Sequence, residues 1–158
     1  MPTRLLLMSD THVPARATRL PDQVWRAVDE ADLVVHAGDW VDVATLDALE
    51  ARAARLVGVF GNNDGAALRA RLPEVARFEL EGLRFGVVHE TGQKTGRELD
   101  VLVFGHSHIP WDTVTPRGIR LLNPGSPTDR RRQPVCTMMT AVADSGRLRE
   151  VELVPVGR

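Results

Sequence analysis

The chain has 158 residues, 43% of them hydrophobic and 26% charged, with a formal net charge of −1. That is the profile of a folded globular protein large enough to bury its own core, and it excludes a disordered or low-complexity chain. Near-neutral charge excludes a global field that would draw nucleic acid or an anionic membrane, and the single Cys136 excludes an internal disulfide framework.

In chain order, Arg4–Ser9 reads as a strand whose Leu5-Leu6-Leu7-Met8 run is apolar on both faces, as in buried parallel strands. Pro21 opens a helix to about Ala31, with Val24, Val28 and Ala31 on one stripe. Leu33–His36 is a second strand, Asp42–Ala53 a helix carrying Val43, Leu46 and Leu49, and Arg55–Phe60 a third strand. Ala66–Arg71 is a short helix stopped by Pro73. Beyond it the pattern turns to strands at Arg77–Leu80, Arg84–His89, Val101–Gly105, Trp111–Thr115, Ile119–Leu122, Val135–Ala143 and Leu148–Val154. Glu81-Gly82, Pro116-Arg117-Gly118 and Asp144-Ser145-Gly146 mark turns. A βαβαβ half followed by a mostly β half predicts one α/β domain over 1–158, two packed sheets flanked by helices. No apolar run approaches the roughly 20 residues that span a bilayer, and Met1-Pro2-Thr3-Arg4 lacks a signal-peptide pattern, so the expected location is cytoplasmic.

The chemistry is concentrated at the strand ends. Asp10-Thr11-His12 follows the first strand, Gly38-Asp39 the second, and Gly61-Asn62-Asn63-Asp64 the third. His89 ends another strand, and Gly105-His106-Ser107-His108 follows Val101–Phe104. Each piece alone is weak; five apolar strands each delivering a metal-ligand side chain at the carboxyl end are not, because that edge is where open α/β sheets build sites. Imidazole, carboxylate and amide oxygen without thiolate suit Mn²⁺, Fe, Co²⁺, Ni²⁺ or Zn²⁺ rather than an all-oxygen cage. Seven candidates exceed one tetrahedral shell and divide between two ions if one carboxylate bridges.

The ordered series Asp10-x-His12, Gly38-Asp39, Gly61-Asn62-x-Asp64, His89 and Gly105-His106-x-His108 resembles the calcineurin-like metallophosphoesterase superfamily, and Asn123-Pro124-Gly125-Ser126 resembles its small prokaryotic phosphodiesterase branch. The resemblance implies a four-layer α/β/β/α sandwich. It implies one cation on Asp10, His12, Asp39 and His108, a second on Asp39, Asn62, His89 and His106, and Asp39 as the bridge. Manganese is the expected ion. The implied reaction is hydrolysis of a small or nucleotide-like phosphate ester by metal-activated hydroxide, attacking phosphorus in line. A phosphodiesterase is favoured. A phosphomonoesterase on the same site is the nearest alternative, and a protein-interaction scaffold like the related retromer subunit is the alternative from another class. A nuclease is disfavoured, since there is no basic stripe to follow a backbone. An exposed sheet edge leaves room for a homo-oligomer.

Two positions depart from the family pattern. Asn63 stands where relatives carry a proton-donating His, and an amide cannot be a general acid, a role worth roughly 10²–10⁴ in rate. Glu90 follows His89 where relatives often continue Gly-His, making His89 the least secure ligand and leaving Glu90 either a partner of the site or an exposed carboxylate. Asp64 is expected to anchor its loop, and His36 to be a hydrogen-bonded strand-end residue. Cys136 is expected to be a buried strand residue and Arg130-Arg131-Arg132 a solvated loop. Trp40 and Trp111 suit either packing or a substrate mouth. Arg16 is the first candidate for a phosphate-binding cation.

Overall fold

The computed structural model describes residues 2–14, 19–93, 95 and 98–157. Its elements run β1 (Thr3–Met8), α1 (Asp22–Glu30), β2 (Leu33–His36), α2 (Val43–Arg52), β3 (Leu56–Gly58), α3 (Ala66–Arg71), β4 (Val75–Leu80), β5 (Leu83–Val88), β6 (Val101–Val103), β7 (Trp111–Val114), β8 (Arg120–Asn123), β9 (Cys136–Asp144) and β10 (Arg147–Val156). They form two five-stranded sheets, β10-β9-β1-β2-β3 and β4-β5-β6-β8-β7.

Period-two alternation sorts the apolar side chains between two cores. Leu5 and Leu7 of β1, Leu33 and Val35 of β2, and Met139 and Ala141 of β9 face the second sheet, meeting Phe85, Val87, Val101, Val103 and Leu122. Leu6, Met8, Val34, Cys136 and Met138 face outward, against Val24 and Val28 of α1, Leu46 and Leu49 of α2 and Leu68 of α3. This is why β1 reads as apolar on both faces: both faces are covered. The three described helices therefore form a layer on the first sheet. On the outer face of the second sheet, Leu99 of the β5–β6 connection packs with Val88 and Leu102, and no helix covers that face among the described residues.

Local signals set the helix starts. Asp42 caps α2, its Oδ1 accepting from Thr45 N at 3.0 Å, and Pro21 precedes α1 in extended conformation. The sequence reading misjudged β3, which is shorter than 55–60. Val59 N still donates to His36 O, but Phe60 N turns to Pro73 O. The C-terminal half divides between the two sheets. The β9–β10 hairpin returns to the N-terminal sheet, where β9 pairs antiparallel with β1, Leu5 opposite Ala141. No helix of the described residues is long and apolar enough to cross a membrane.

β1, β2 and β3 run parallel in one sheet and β5 and β6 parallel in the other, so each set delivers its following loops at one edge. At that edge His36 is fully buried. Its Nδ1 accepts from Gly38 N at 3.1 Å, which puts the ring proton on Nε2, 3.1 Å from the Thr11 hydroxyl. The ring stacks on Trp40 at 3.7 Å, and Trp40 Nε1 donates to Val59 O. Both residues are thus core packing, and Trp40 is not at a substrate mouth. Burial holds the His36 pKa down to about 3.

A folded-state pKa below the unfolded value of 6.5 means that the unfolded chain takes up this proton first. Native stability should therefore fall as pH drops from 6.5 toward 3, by up to about 1.4 kcal/mol per pH unit from this group. His36→Phe keeps a ring on Trp40 but cannot take a proton; its urea-unfolding free energy should decline less steeply with acid than the parent's.

Candidate metal centre

The loops at the shared edge are held in backbone conformations that side chains rarely adopt. Asp10, His12, Asp39, His106 and His108 have φ of 56°, 46°, 60°, 72° and 61°. Left-handed non-glycine residues of this kind cost on the order of 1–3 kcal/mol each and persist where the surroundings over-determine them. Here they do. Asp10 N donates to Gly38 O at 2.9 Å and His12 N to Asp39 O at 3.1 Å, tying the first two loops together. His106 N donates to Asp10 Oδ2 at 2.9 Å, reaching from the second sheet to the first. The approach is close enough to require glycine at two points. A Cβ on Gly105 would collide with Ser9 Oγ and Asp10 Oδ2, and one on Gly61 with the Asp39 carboxylate.

Asp64, buried, anchors this frame. Its carboxylate accepts from Asp39 N at 3.0 Å, Gly61 N at 2.8 Å and Val41 N at 2.7 Å. Asn123, also buried, donates to Gly105 O and Ser107 Oγ and accepts from Gly125 N, while Ser126 Oγ donates to Asp10 O at 2.8 Å. The Asn123-Pro124-Gly125-Ser126 motif thus ties the loop bearing His106 and His108 to the loop that follows β1.

Within the frame the side chains converge. His89 Nδ1–H donates to Ala37 O at 2.8 Å and His108 Nδ1–H to Asp129 O at 2.7 Å, so each ring turns its Nε2 toward the carboxylates. Asp10 Oδ1 lies 3.5 Å from His108 Nε2, 3.8 Å from His12 Nε2 and 3.8 Å from His89 Nε2. Asp39 Oδ2 lies 3.4 Å from His89 Nε2 and 3.5 Å from His12 Nε2. His106 Nδ1 is 3.3 Å from His89 Nε2 and 3.2 Å from Asn62 Oδ1. Among the described residues, Asp10 Oδ1, His12 Nε2 and His108 Nε2 are buried atoms with no hydrogen-bond partner. Such orphans are costly unless something not made of protein satisfies them. Separations of 3.4–3.8 Å are those of donors sharing a cation at about 2.0–2.2 Å from each. Among the described residues, two groups of side chains each bring three ligand atoms within 4.8 Å of one another, Asp10-His12-His108 and Asp10-Asp39-His89.

The electrostatics are consistent with a cation-binding pocket. Burial opposes ionisation of Asp39, yet its hydrogen bond with His89 and the Asn63 N–H hold its pKa well below the usual carboxylate range. Burial likewise opposes a charged His89, but Asp39 and Asp10 outweigh it and raise its pKa. His108 is pushed down by burial.

Of the seven sequence-predicted ligands, Asp10, His12, Asp39, His89 and His108 fall in these two groups, and His106 and Asn62 adjoin them, His106 through His89 and Asn62 through His106. Asn63 is beside the pocket, with its backbone N donating to Asp39 Oδ1 at 2.9 Å and its Nδ2 to Asp39 Oδ2 at 2.8 Å. Glu90 Oε1 is 3.6 Å from His106 Nε2 at the rim, so it faces the site. Trp111 is half exposed on edge strand β7, away from the pocket, its Nε1 donating to Thr113 Oγ1. Arg16 lies outside the described residues. Sequence reasoning missed Asp129, whose carbonyl sets the His108 ring, because any loop residue can offer a carbonyl. It also missed Arg69, whose Nε donates to Asp64 O at 2.7 Å while its guanidinium lies over Phe60 at 4.6 Å. A cavity of about 270 Å³ opens beside Asn62 and His89, walled by Phe60, Arg69, Glu74, Glu90 and Gln93.

A profile for the calcineurin-like phosphoesterase superfamily domain matches residues 3–146. A protein of Methanocaldococcus jannaschii named a probable metallophosphoesterase is 35% identical over 95% of this chain and 80% of its own length. A phosphodiesterase of the same organism is 25% identical over 65% of this chain and 71% of its own. Among solved structures, a Thermotoga maritima protein superposes with a TM-score of 0.77 at 34% identity, covering 98% of this chain and 99% of that one. Vacuolar protein sorting 29 from Cryptosporidium parvum shares the fold, with a TM-score of 0.77 at 18% identity over 99% of each chain.

The raised His89 pKa gives the pocket a testable pH dependence. A proton on Nε2 has to leave before that atom can accept a cation, so metal binding releases protons and weakens as pH falls. Calorimetric titration with Mn²⁺ in buffers of different ionisation enthalpy should show both effects. An affinity that stays constant between about pH 5.5 and 8 would count against His89 as a ligand.

Proposed function

The chain belongs to the calcineurin-like phosphoesterase superfamily, and is a metal-dependent phosphoric ester hydrolase; from that premise we propose a two-metal phosphodiesterase acting on small or nucleotide-like esters. The observation that carries the proposal is the position of Asp39 Oδ2, 3.5 Å from His12 Nε2 and 3.4 Å from His89 Nε2. In this reading Asp10, His12, Asp39 and His108 hold one cation, Asp39, Asn62, His89 and His106 the other, and Asp39 serves both. The donor set of imidazole, carboxylate and amide fits first-row ions, with Mn²⁺ the proposed one.

Two cations held there would supply Lewis acidity toward the phosphoryl oxygens and lower the pKa of the attacking water. The chain's own contribution is rigidity. The backbone carbonyls of Ala37 and Asp129 fix two imidazoles, the carboxylate of Asp64 holds the Asp39 backbone, and the strained loops keep the donors at their separations before any ligand arrives. Preorganisation of this kind removes the reorganisation that a flexible site would need during reaction.

A diester is preferred to a monoester for a charge reason. A monoester brings a further negative oxygen and needs a free cation to meet it. Among the described residues, Arg69 is the guanidinium in the adjoining cavity, and its Nε and Nη2 are directed at the carbonyls of Asp64, Gly61 and Asn62, while Glu74 and Glu90 stand on the same walls. The scaffold alternative gains nothing from buried, unpartnered ligand atoms, which a purely structural role would have no reason to keep.

Purified protein with Mn²⁺ should hydrolyse an activated aryl phosphodiester. Asp39→Asn should lower kcat by more than the roughly 10–100-fold that loss of an outer partner causes. Failure with every first-row divalent ion would favour the scaffold. Because Asn63 cannot donate a proton, log kcat should also fall steeply with leaving-group pKa across an aryl-to-alkyl diester series. A flat series would mean that another group supplies the proton.

A further inference from the structure

Asn63 is exposed on the loop between β3 and α3, yet its side chain is folded inward onto a carboxylate. The loop leaves it little choice. Asp64 N donates to Gly61 O at 3.1 Å, and the Asp64 carboxylate takes both Gly61 N and Asp39 N, pulling the 61–64 turn against the 38–41 turn. In that arrangement one residue meets both oxygens of Asp39. The Asn63 backbone N–H takes Oδ1 at 2.9 Å and the side-chain amide takes Oδ2 at 2.8 Å. A two-point contact fixes the rotation of the carboxylate about its Cβ–Cγ bond, which a single hydrogen bond would not.

The atom that the amide holds is the one that matters. Oδ2 stands between His12 Nε2 and His89 Nε2, at 3.5 and 3.4 Å. Turning the carboxylate would carry Oδ2 out of the gap between the two rings. We propose that Asn63 is a positioning residue, an amide clamp that keeps Asp39 Oδ2 aimed between the two cation subsites, and not a proton donor to the leaving group. This rests on the two-cation reading above. An amide suits the task because it carries no charge and does not titrate, so the clamp neither repels an arriving cation nor loosens with pH.

The consequence is carried by metal affinity before it is carried by turnover. Loss of an outer partner to a ligating carboxylate weakens metal binding by roughly 10–100-fold. Asn63→Leu, close in size but without a donor, and Asn63→Ala should each raise the Mn²⁺ dissociation constant by about that factor in calorimetric titration. Thermal unfolding of the chelator-treated variants confirms that the fold is retained. For diesters that are turned over, the slope of log kcat against leaving-group pKa should match the parent's, because no proton donor has been removed. An unchanged or tighter dissociation constant in both variants overturns the clamp, as does a steeper leaving-group slope at unchanged affinity. If the parent hydrolyses no diester, the affinities still decide the role of Asn63, and the hydrolase reading is what falls.

Discussion

The carboxylate of Asp10 is buried at the junction of the two sheets with its two oxygens in opposite situations. Oδ2 accepts from Ser9 Oγ and from His106 N, the latter bond crossing from one sheet's loops to the other's. Oδ1 accepts nothing and faces three imidazole nitrogens. A buried ion is tolerated only when paired or liganded, since the effective penalty is several kcal/mol. The rest of the site follows from this imbalance. The satisfied oxygen locks the β6–His106 loop against β1, and the unsatisfied one belongs to a residue shared by both groups that could hold a cation.

Everything around that carboxylate is arranged to stop the donors from relaxing away. Residues with positive φ at five of the seven proposed ligand positions are a standing conformational cost. It is offset by backbone hydrogen bonds between loops, by the three N–H groups converging on Asp64, and by Asn123 and Ser126 holding the histidine loops from behind. Deep core on both faces of β1 then makes the strand end a fixed platform. Stability is concentrated in the sheets and helices so that strain can be held at their common edge.

This arrangement also separates holding a cation from completing a reaction. The donors converge whether or not a proton source is present, and the position that would offer one carries an amide turned toward Asp39. Among the described residues, Arg69, Glu74 and Glu90 are the charged side chains on the walls of the adjoining cavity.

Much of this was legible from order and pattern alone. Leu5 to Met8, apolar without a break, requires cover on both faces, and Asp10, Asp39, Asn62, His89 and His106 after five such strands require a common edge, because parallel strands end on one side. The helix beginning at Asp42 and the Glu81-Gly82 turn are local chemistry and were visible locally. What chain order could not specify was which strands would be neighbours. That β9 returns to pair with β1 depends on packing between residues more than a hundred positions apart, and no local periodicity encodes it. The same holds for the site's second ring of contacts. Asp129 behind His108 and Asn63 on Asp39 are meetings of separate loops, decided only when the chain closes on itself. The residue types that make a metal site are written in the sequence; the hydrogen bonds that aim them exist only in the folded chain.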